Sequence, residues 1–173
     1  MKRHIVLVGL PGSGKTTVGR ILARELEARF VDIDAVVAQD AAMPIERIFA
    51  ERGEAAFRRL ERAAVERELS ADPGVVAPGG GWAAQPGNLE AARNTVSVYL
   101  SVTPEEAESR IKGEEALVRP LLASGDLLQT LRRLLADREP FYRQCTAMVD
   151  TVGKAPQAVA QAVSRLARSL GGW

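Results

Sequence analysis

The chain has 173 residues, 46% of them hydrophobic and 26% charged, which is ordinary for one soluble globular domain that buries a substantial core. Its 23 lysines and arginines balance 22 aspartates and glutamates, so the charge gives no sign of nucleic acid or of an acidic membrane, and we expect neither as a partner. A single cysteine, Cys145, excludes an intramolecular disulfide and a cysteine-rich metal site. The apolar run near the N-terminus stops before Pro11, too early for a signal peptide or a membrane span, so we expect a cytoplasmic protein.

The first predicted elements are a strand, a glycine-rich loop and a helix. The segment Ile5–Val8 is a short β-branched run, typical of a strand buried on both faces. Residues 9–16 follow with Gly-Leu-Pro-Gly-Ser-Gly-Lys-Thr, which matches the pattern G-x-x-x-x-G-K-[ST] at every fixed position. After Thr16, apolar residues recur close to helical spacing as far as Phe30, with charged residues between them.

Each fixed position of this octapeptide has its own physical role in binding phosphate. Gly9 and Gly14 permit backbone angles that turn successive N–H groups toward phosphate oxygens. Lys15 brings a cation to the β- and γ-phosphates, and the Thr16 hydroxyl is placed to bind Mg²⁺. The dipole of the following helix favours an anion at its N-terminus. The strand, loop and helix together predict that the chain binds a nucleoside triphosphate.

Two aspartates end the second predicted strand, residues 30–34. On an extended segment Asp32 and Asp34 project to the same side. One carboxylate could then bind Mg²⁺ and the other accept a proton from an attacking hydroxyl. An Asx turn or a helix cap after the strand explains the same two residues equally well.

The middle of the chain predicts, in order, a helix at 44–52, a helix at 54–69 after Gly53, and the strand Val75–Ala77. Arg58, on the second of these helices, has glutamates at ion-pairing spacing, as solvated helix arginines usually do. The strand runs into Gly79, Gly80 and Gly81. Three successive glycines either let a ligand approach the backbone or form a flexible turn.

The last third predicts, in order, a strand at 95–102, a helix from Pro104, a mobile surface loop at 113–125, a helix at 126–138, a strand at 147–149 and a helix at 156–170. Arg119 lies in an apolar stretch of the loop, which fits a lid that closes over transferred phosphate. Arg138 ends a helix, where the dipole favours a cation for structural reasons alone. Strands that alternate with helices predict an α/β fold with a parallel sheet covered on both faces and a ligand crevice at the carboxyl ends of the strands.

Isolated aromatic residues and the single histidine more often serve packing than chemistry. We therefore interpret the following residues as structural: His4, Trp82, Tyr99, Tyr142 and Trp173.

Six segments in this order resemble the shikimate kinase family over nearly the whole chain. They are the octapeptide at 9–16, Asp32-Ile33-Asp34, Phe57-Arg58-Arg59 with Glu61, the glycines 79–81, Val118-Arg119-Pro120-Leu121-Leu122 and Arg138-Glu139-Pro140-Phe141-Tyr142. The resemblance implies a three-layer P-loop kinase fold, of the nucleoside-monophosphate-kinase type, with a five-stranded parallel sheet flanked by helices and a mobile lid at about 113–125. It also implies a single domain over 1–173, with a substrate-binding helical region at about 34–62.

The implied activity is the ATP-dependent phosphorylation of the 3-hydroxyl of shikimate by a monomer that uses Mg²⁺. The products are shikimate 3-phosphate and ADP, in aromatic amino-acid biosynthesis. The implied catalytic residues are Lys15, Asp34 and Arg119, and the implied metal ligands are Thr16 and Asp32. The implied ATP-binding residues are Gly12, Ser13, Gly14, Lys15, Thr16, Thr17, Arg119 and Lys154. The implied substrate-binding residues are Asp34, Arg58, Gly79, Gly80, Gly81 and Arg138.

Two positions depart from the family pattern. Trp82 stands where the family usually has a small residue, so it either reshapes the substrate wall or packs outward. Lys154 stands where the family often has an arginine against adenine, and lysine stacks less well. The alternatives are a kinase of another small polyol acid, such as gluconate, and a nucleotide-binding regulator without catalysis. The arginine pair and the three glycines argue against the first, and the retained Lys15, Asp34 and Arg119 argue against the second.

Overall fold

A single parallel sheet of five strands forms the centre of the molecule. The computed structural model describes residues 1–113 and 125–173. The strands are β1 (Ile5–Val8), β2 (Phe30–Asp32), β3 (Val75–Ala77), β4 (Val96–Ser101) and β5 (Ala147–Asp150). They pair in the order β2-β3-β1-β4-β5, each parallel to its neighbour. The predicted five-stranded parallel sheet is therefore confirmed.

Helices cover both faces of this sheet. They are α1 (Lys15–Glu25), α2 (Ile33–Ala41), α3 (Ile45–Leu69), α4 (Asn88–Ala91), α5 (Pro104–Lys112), α6 (Leu127–Tyr142) and α7 (Pro156–Ser169), with a 3₁₀ turn at Trp82–Ala84. On one face, α1 and α7 pack on a core that includes Ile5 and Leu7 of β1. On the other face, α2, α3, α5 and α6 pack on a core that includes Val6 and Val8. Because alternate residues of β1 enter opposite cores, the three-layer arrangement is confirmed.

The chain after β2 differs from the prediction. Residues 30–34 were expected to be one strand, but the strand ends at Asp32 and α2 begins at Ile33. The Asp32 carboxylate accepts hydrogen bonds from the N–H groups of Asp34 at 3.1 Å and Ala35 at 3.4 Å, and so caps the helix. The prediction that Asp32 and Asp34 project from one side of an extended strand is therefore wrong.

Two helix boundaries depend on particular residues. The predicted break at Gly53 is confirmed, because this residue has φ 83° and ψ 168° inside α3. The end predicted for α6, at Arg138, is wrong, since the helix continues to Tyr142 with Pro140 inside it. The Tyr142 ring is fully buried and lies 5.0 Å from the ring of Tyr99, centroid to centroid. Tertiary packing therefore supports a last turn that the proline alone would disfavour.

The predicted lid at about 113–125 lies outside the described residues, apart from the glycine at each end. Among the helices of the described ranges, none combines the length and the apolar character that crossing a membrane requires.

Candidate active site

The glycine-rich loop predicted from the octapeptide lies between the end of β1 and the start of α1. Gly12 and Gly14 have φ values of 78° and 92°, a region that side-chain-bearing residues rarely adopt. An added Cβ on Gly12 would lie 2.7 Å from the carbonyl oxygen of Ala107. Glycine is therefore required at both positions. The loop leads directly into the N-terminus of α1, since Gly14 is the N-cap residue of this helix.

Lys15 is the first residue of α1, and its side chain folds back over the loop. The ammonium group donates hydrogen bonds to the carbonyl oxygens of Gly9 at 2.9 Å and Leu10 at 3.0 Å. The residue is only 7% exposed. A cation in this position raises the local positive potential where a phosphate would bind.

A cavity of about 330 Å³ opens beside the loop. Its lining includes the predicted residues Gly12, Ser13, Gly14, Lys15, Thr16, Thr17 and Lys154, together with Arg110, Ile111, Thr151, Pro156 and Val159. The structure thus brings together every described residue that was predicted to bind the nucleotide. Arg119 lies outside the described residues.

The sequence analysis missed Arg110 and Thr151, which form one wall of this cavity. Arg110 donates from Nη1 to Thr151 Oγ1 at 3.1 Å and from Nη2 to the Thr151 carbonyl oxygen at 2.9 Å. A further bond of 3.3 Å runs from Nη1 to the carbonyl oxygen of Gly12. Because 41 residues separate Arg110 from Thr151, no local spacing in the sequence indicates the pair.

Lys154 lines the cavity, and its ammonium group is hydrogen-bonded to Asp150. It donates to the carbonyl oxygen of Asp150 at 2.8 Å and to the Asp150 carboxylate at 3.3 Å. The N–H of Val152 lowers the pKa of Asp150, and the ammonium of Lys154 adds to that effect. The lysine is therefore anchored to the last residue of β5.

Thr16 and Asp32 meet where the loop lies next to the end of β2. The Thr16 hydroxyl donates to Asp32 Oδ2 at 3.2 Å, while Oδ1 of the same carboxylate caps α2. Of the two roles that the sequence left open for Asp32, the structure shows the helix cap. A hydroxyl and a carboxylate side by side fit Mg²⁺, which takes oxygen ligands, keeps several waters and needs few protein groups. The described residues contain no group of three or more His, Cys, Asp or Glu side chains that could bind a metal.

The three glycines after β3 lie against charged side chains. Glu61 is fully buried, and its Oε1 accepts a hydrogen bond of 3.0 Å from the Gly79 N–H. Its Oε2 accepts one of 2.8 Å from Nη1 of Arg58. An added Cβ on Gly81 would overlap with the Arg58 guanidinium. The backbone therefore approaches Arg58 more closely than a side chain at this position would permit.

Asp34 and Arg138 lie beside the same glycine segment. A Cβ on Gly79 would be 3.2 Å from Asp34 Oδ1, and a Cβ on Gly80 would be 3.1 Å from Arg138 Nη1. Arg138 is only 8% exposed, although it is charged. The structure thus brings the two guanidinium groups and the carboxylate together around the three glycines, next to the glycine-rich loop.

The carboxyl group of Glu61 is buried close to the charges of Arg58 and Asp34. Burial raises the pKa of its carboxyl group, the charge of Arg58 opposes that rise, and the charge of Asp34 adds to it. The sequence did not identify Glu61 as a site residue, although its spacing of three residues from Arg58 on one helix indicated an ion pair.

Trp82 does not form part of an outward-facing surface. Its side chain is 2% exposed and belongs to the core between the sheet and α3 and α6. The expectation that it either reshapes the substrate wall or packs outward is therefore wrong in its second part. The indole fills the core behind the glycine segment.

Comparison with known proteins identifies the family. The family model for shikimate kinase matches residues 11–168. A shikimate kinase from Mycobacterium avium (strain 104) is 45% identical over 168 residues, which is 96% of this chain and 94% of the relative. A shikimate kinase from Symbiobacterium thermophilum is 46% identical over 142 residues, 82% of each chain.

Solved structures agree with this result. Shikimate kinase from Acinetobacter baumannii in complex with shikimate has a TM-score of 0.92 at 34% identity, covering 98% of this chain and 95% of that chain. A gluconokinase from Sinorhizobium meliloti 1021 has a TM-score of 0.65 at 21% identity, covering 98% and 95%, and shares the fold alone. On its sequence, its fold and the match of the family model, the chain belongs to the shikimate kinase family.

Proposed function

We propose that this chain transfers the γ-phosphate of ATP to the 3-hydroxyl of shikimate, giving shikimate 3-phosphate and ADP in aromatic amino-acid biosynthesis. The observation that carries the proposal is the position of Arg58 and Arg138 against adjacent glycines of one segment, next to a complete phosphate-binding loop. The A. baumannii relative, which shares 34% identity and nearly the whole fold, is a complex with shikimate.

Arg58 and Arg138 are the proposed ligands of the shikimate carboxylate. The planar fork of a guanidinium matches a carboxylate through two parallel hydrogen bonds, which lysine cannot reproduce. Nε of Arg58 is buried and makes no hydrogen bond within the described residues. Each charge-assisted hydrogen bond contributes about 1.5–3 kcal/mol, so two arginines supply much of the affinity for so small an anion. The glycines Gly79, Gly80 and Gly81 let the charged side chains of the proposed site approach the backbone closely.

Asp34 is the proposed partner of the reacting hydroxyl. Its carboxylate lies by Gly79, at the end of the glycine segment nearest Glu61. In the reaction the O–H bond of the 3-hydroxyl breaks and an O–P bond to the γ-phosphorus forms, while the bond from that phosphorus to the β,γ-bridging oxygen breaks. Asp34 accepts the proton, and ADP leaves with the electron pair of the broken P–O bond.

Lys15 and the loop amides are the proposed binding groups for the phosphates. Phosphoryl transfer needs mainly positioning and neutralisation of charge, which these groups supply together with Arg119. Thr16 and Asp32 would hold Mg²⁺, which supplies additional positive charge to the phosphates when bound. The apolar part of the cavity near Ile111, Pro156 and Val159 would accept the adenine, with Arg110 beside it.

All of these groups lie on one chain, so we propose that residues 1–173 form a single catalytic domain that works as a monomer. We also propose that it acts in the cytoplasm. The proposed lid at about 113–125, with Arg119, closes over the phosphates during transfer. The proposed substrate-binding region at about 34–62 includes α2 and the first part of α3.

Two other functions make different predictions. A gluconate kinase shares the fold, but the pair of buried arginines against three glycines fits a carboxylate on a ring with hydroxyl groups better than an open-chain acid. A non-catalytic regulator would need neither an acceptor-side carboxylate such as Asp34 nor a lid cation such as Arg119.

A coupled assay of ADP release separates the three functions. Purified protein with Mg²⁺ and ATP is measured with shikimate, with gluconate and without an acceptor, and ³¹P NMR identifies the product. We expect the rate with shikimate to exceed the other two by at least about 100-fold. Faster turnover of gluconate would favour the sugar-acid kinase, and a slow rate that no acceptor changes would favour the regulator.

A further inference from the structure

The hydroxyl of Tyr142 connects α6 to the glycine segment. This residue is fully buried, and its hydroxyl donates a hydrogen bond to the carbonyl oxygen of Gly80. The two residues are 62 positions apart, so the bond links two distant parts of the chain. A carbonyl in the interior needs such a donor, because leaving it without one costs about 1–3 kcal/mol.

Tyr142 also lies next to Arg138. The two residues are four positions apart on α6, which places them on one face of the helix. Burial raises the pKa of Tyr142 to about 12, and the guanidinium of Arg138 opposes that rise through its charge and by hydrogen bonding. Arg138 also lies against Gly80, since Nη1 is 3.1 Å from the place of an added Cβ. Tyr142, Gly80 and Arg138 thus form one contiguous group.

The contacts around Arg138 resemble those around Arg58. Glu61 binds Arg58 with one oxygen and the Gly79 N–H with the other. Each arginine of the acceptor site therefore has a fully buried neighbour that also bonds to the backbone of the glycine segment. For Arg58 that neighbour is an acid, and for Arg138 it is a phenol.

We infer that Tyr142 is a positioning residue for the acceptor: its hydroxyl fixes Gly80 and Arg138 relative to one another, and so sets the geometry in which Arg138 meets the acceptor's carboxylate. Tyr142 does not touch the acceptor in this arrangement and acts through Arg138. The inference rests on the proposed shikimate kinase activity and assigns a function to a residue that the sequence indicated only as structural.

The first test compares two tyrosine-to-phenylalanine variants. Tyr142→Phe removes the hydroxyl and keeps the ring, whereas Tyr99→Phe removes a hydroxyl from the other ring of the same buried pair, which makes no bond to Gly80. We expect Tyr142→Phe to raise KM for shikimate about five- to tenfold, with KM for ATP within about twofold of the parent. Tyr99→Phe should leave both values within about twofold. Melting temperatures of both variants establish that the fold is retained.

A double-mutant cycle tests whether Tyr142 acts through Arg138. Arg138→Lys alone should raise KM for shikimate strongly, by about 50-fold or more, and leave ATP binding nearly intact. In that background, Tyr142→Phe should add less than about twofold, because the group that the hydroxyl positions is already gone.

The outcomes distinguish this inference from the proposed function. If the parent protein does not phosphorylate shikimate, the proposed function fails. If the parent is active but Tyr142→Phe keeps the parent's KM, or if the two substitutions multiply independently, Tyr142 is a packing residue and this inference is wrong. A rise in KM that Tyr99→Phe matches would also overturn it, because loss of packing would then explain both.

Discussion

Glu61 accepts a hydrogen bond of 2.8 Å from the guanidinium of Arg58 while its own side chain is only 1% exposed. Such a buried pair contributes little net stability over an apolar pair, but removing one partner is costly because the remaining charge is left in the interior. The carboxylate also accepts the Gly79 N–H, so the pair fixes both an arginine and the backbone beside it. The geometry of the proposed acceptor site therefore depends on a residue that need not contact the acceptor.

Glu61→Gln should lower both stability and acceptor affinity. The amide retains an oxygen for the Gly79 N–H but leaves Arg58 without its buried counter-ion. We expect a loss of about 3 kcal/mol in the free energy of unfolding, measured by urea denaturation, and a rise in KM for shikimate.

Glu54→Gln is the matched control for this substitution. Glu54 pairs with the same arginine at 3.3 Å, but its side chain is 54% exposed. Solvent screens such a pair, so the loss should be below about 0.5 kcal/mol. Equal losses in the two variants would contradict the role assigned to burial.

Gly81→Ala should weaken the binding of shikimate without affecting ATP. Gly81 has φ −91°, which alanine adopts freely, so the backbone does not oppose the change. The added methyl group would instead overlap with the Arg58 guanidinium and displace it. We expect KM for shikimate to rise about tenfold or more, with KM for ATP within about twofold, in steady-state kinetics. An unchanged KM for shikimate would show that Arg58 does not bind the acceptor from this position.

Lys15→Ala should abolish turnover while the acceptor still binds. The ammonium group lies over the loop that is proposed to bind the phosphates, and it is far more important there in the transition state than in the ground state. We expect kcat to fall at least about 100-fold, with the Kd for shikimate by calorimetry within about threefold. Lys112→Ala, which removes an exposed lysine from α5, is the control and should retain the parent's rate. Substantial activity in Lys15→Ala would overturn the assignment of the loop.

The local parts of the site could be predicted from the sequence, because each residue's role follows from its near neighbours. The octapeptide predicted the loop, since its glycines and Lys15 act within eight consecutive residues. The break at Gly53 followed from one residue in the same way. The five strands were predicted as short, mainly apolar segments, and β1, β3 and β4 are rich in valine or isoleucine.

What the sequence did not indicate depends on contacts between distant residues. The Arg110–Thr151 wall spans 41 positions and the Tyr142–Gly80 bond spans 62, and neither leaves a pattern in the chain. The residue pattern did not predict helix α2, although the family resemblance implied a helical region from about residue 34, and the reason is different. Only Ile33 and Val37 are buried on it, so its apolar stripe is too narrow to show a clear period. The extended pattern through Asp34 then favoured a longer strand, and the capping role of Asp32 decided against it.

The single histidine makes the stability of the fold depend on pH in a predictable direction. His4 Nδ1 accepts a hydrogen bond of 3.3 Å from the Gly74 N–H, and Nε2 lies 3.2 Å from the carbonyl oxygen of Ala71. Both contacts suit the neutral ring with its proton on Nε2, because a protonated Nδ1 would face another donor. Burial lowers the pKa of His4, and the charge of Arg29 acts in the same direction.

Since the pKa of His4 is lower in the folded state than in the unfolded chain, its stabilising contribution is present above about pH 6.5 and is lost as the pH falls toward the lowered value. We expect the difference in free energy of unfolding between the parent and His4→Gln to be constant from about pH 8 to pH 6.5 and to shrink below that. Urea denaturation at several pH values measures this difference directly. Other titrating groups, including Glu61, are common to both proteins and cancel in the comparison. A difference that stays flat down to about pH 5 would mean that the folded protein accepts the proton on His4 as readily as the unfolded chain does, and one that widens would mean that it does so more readily.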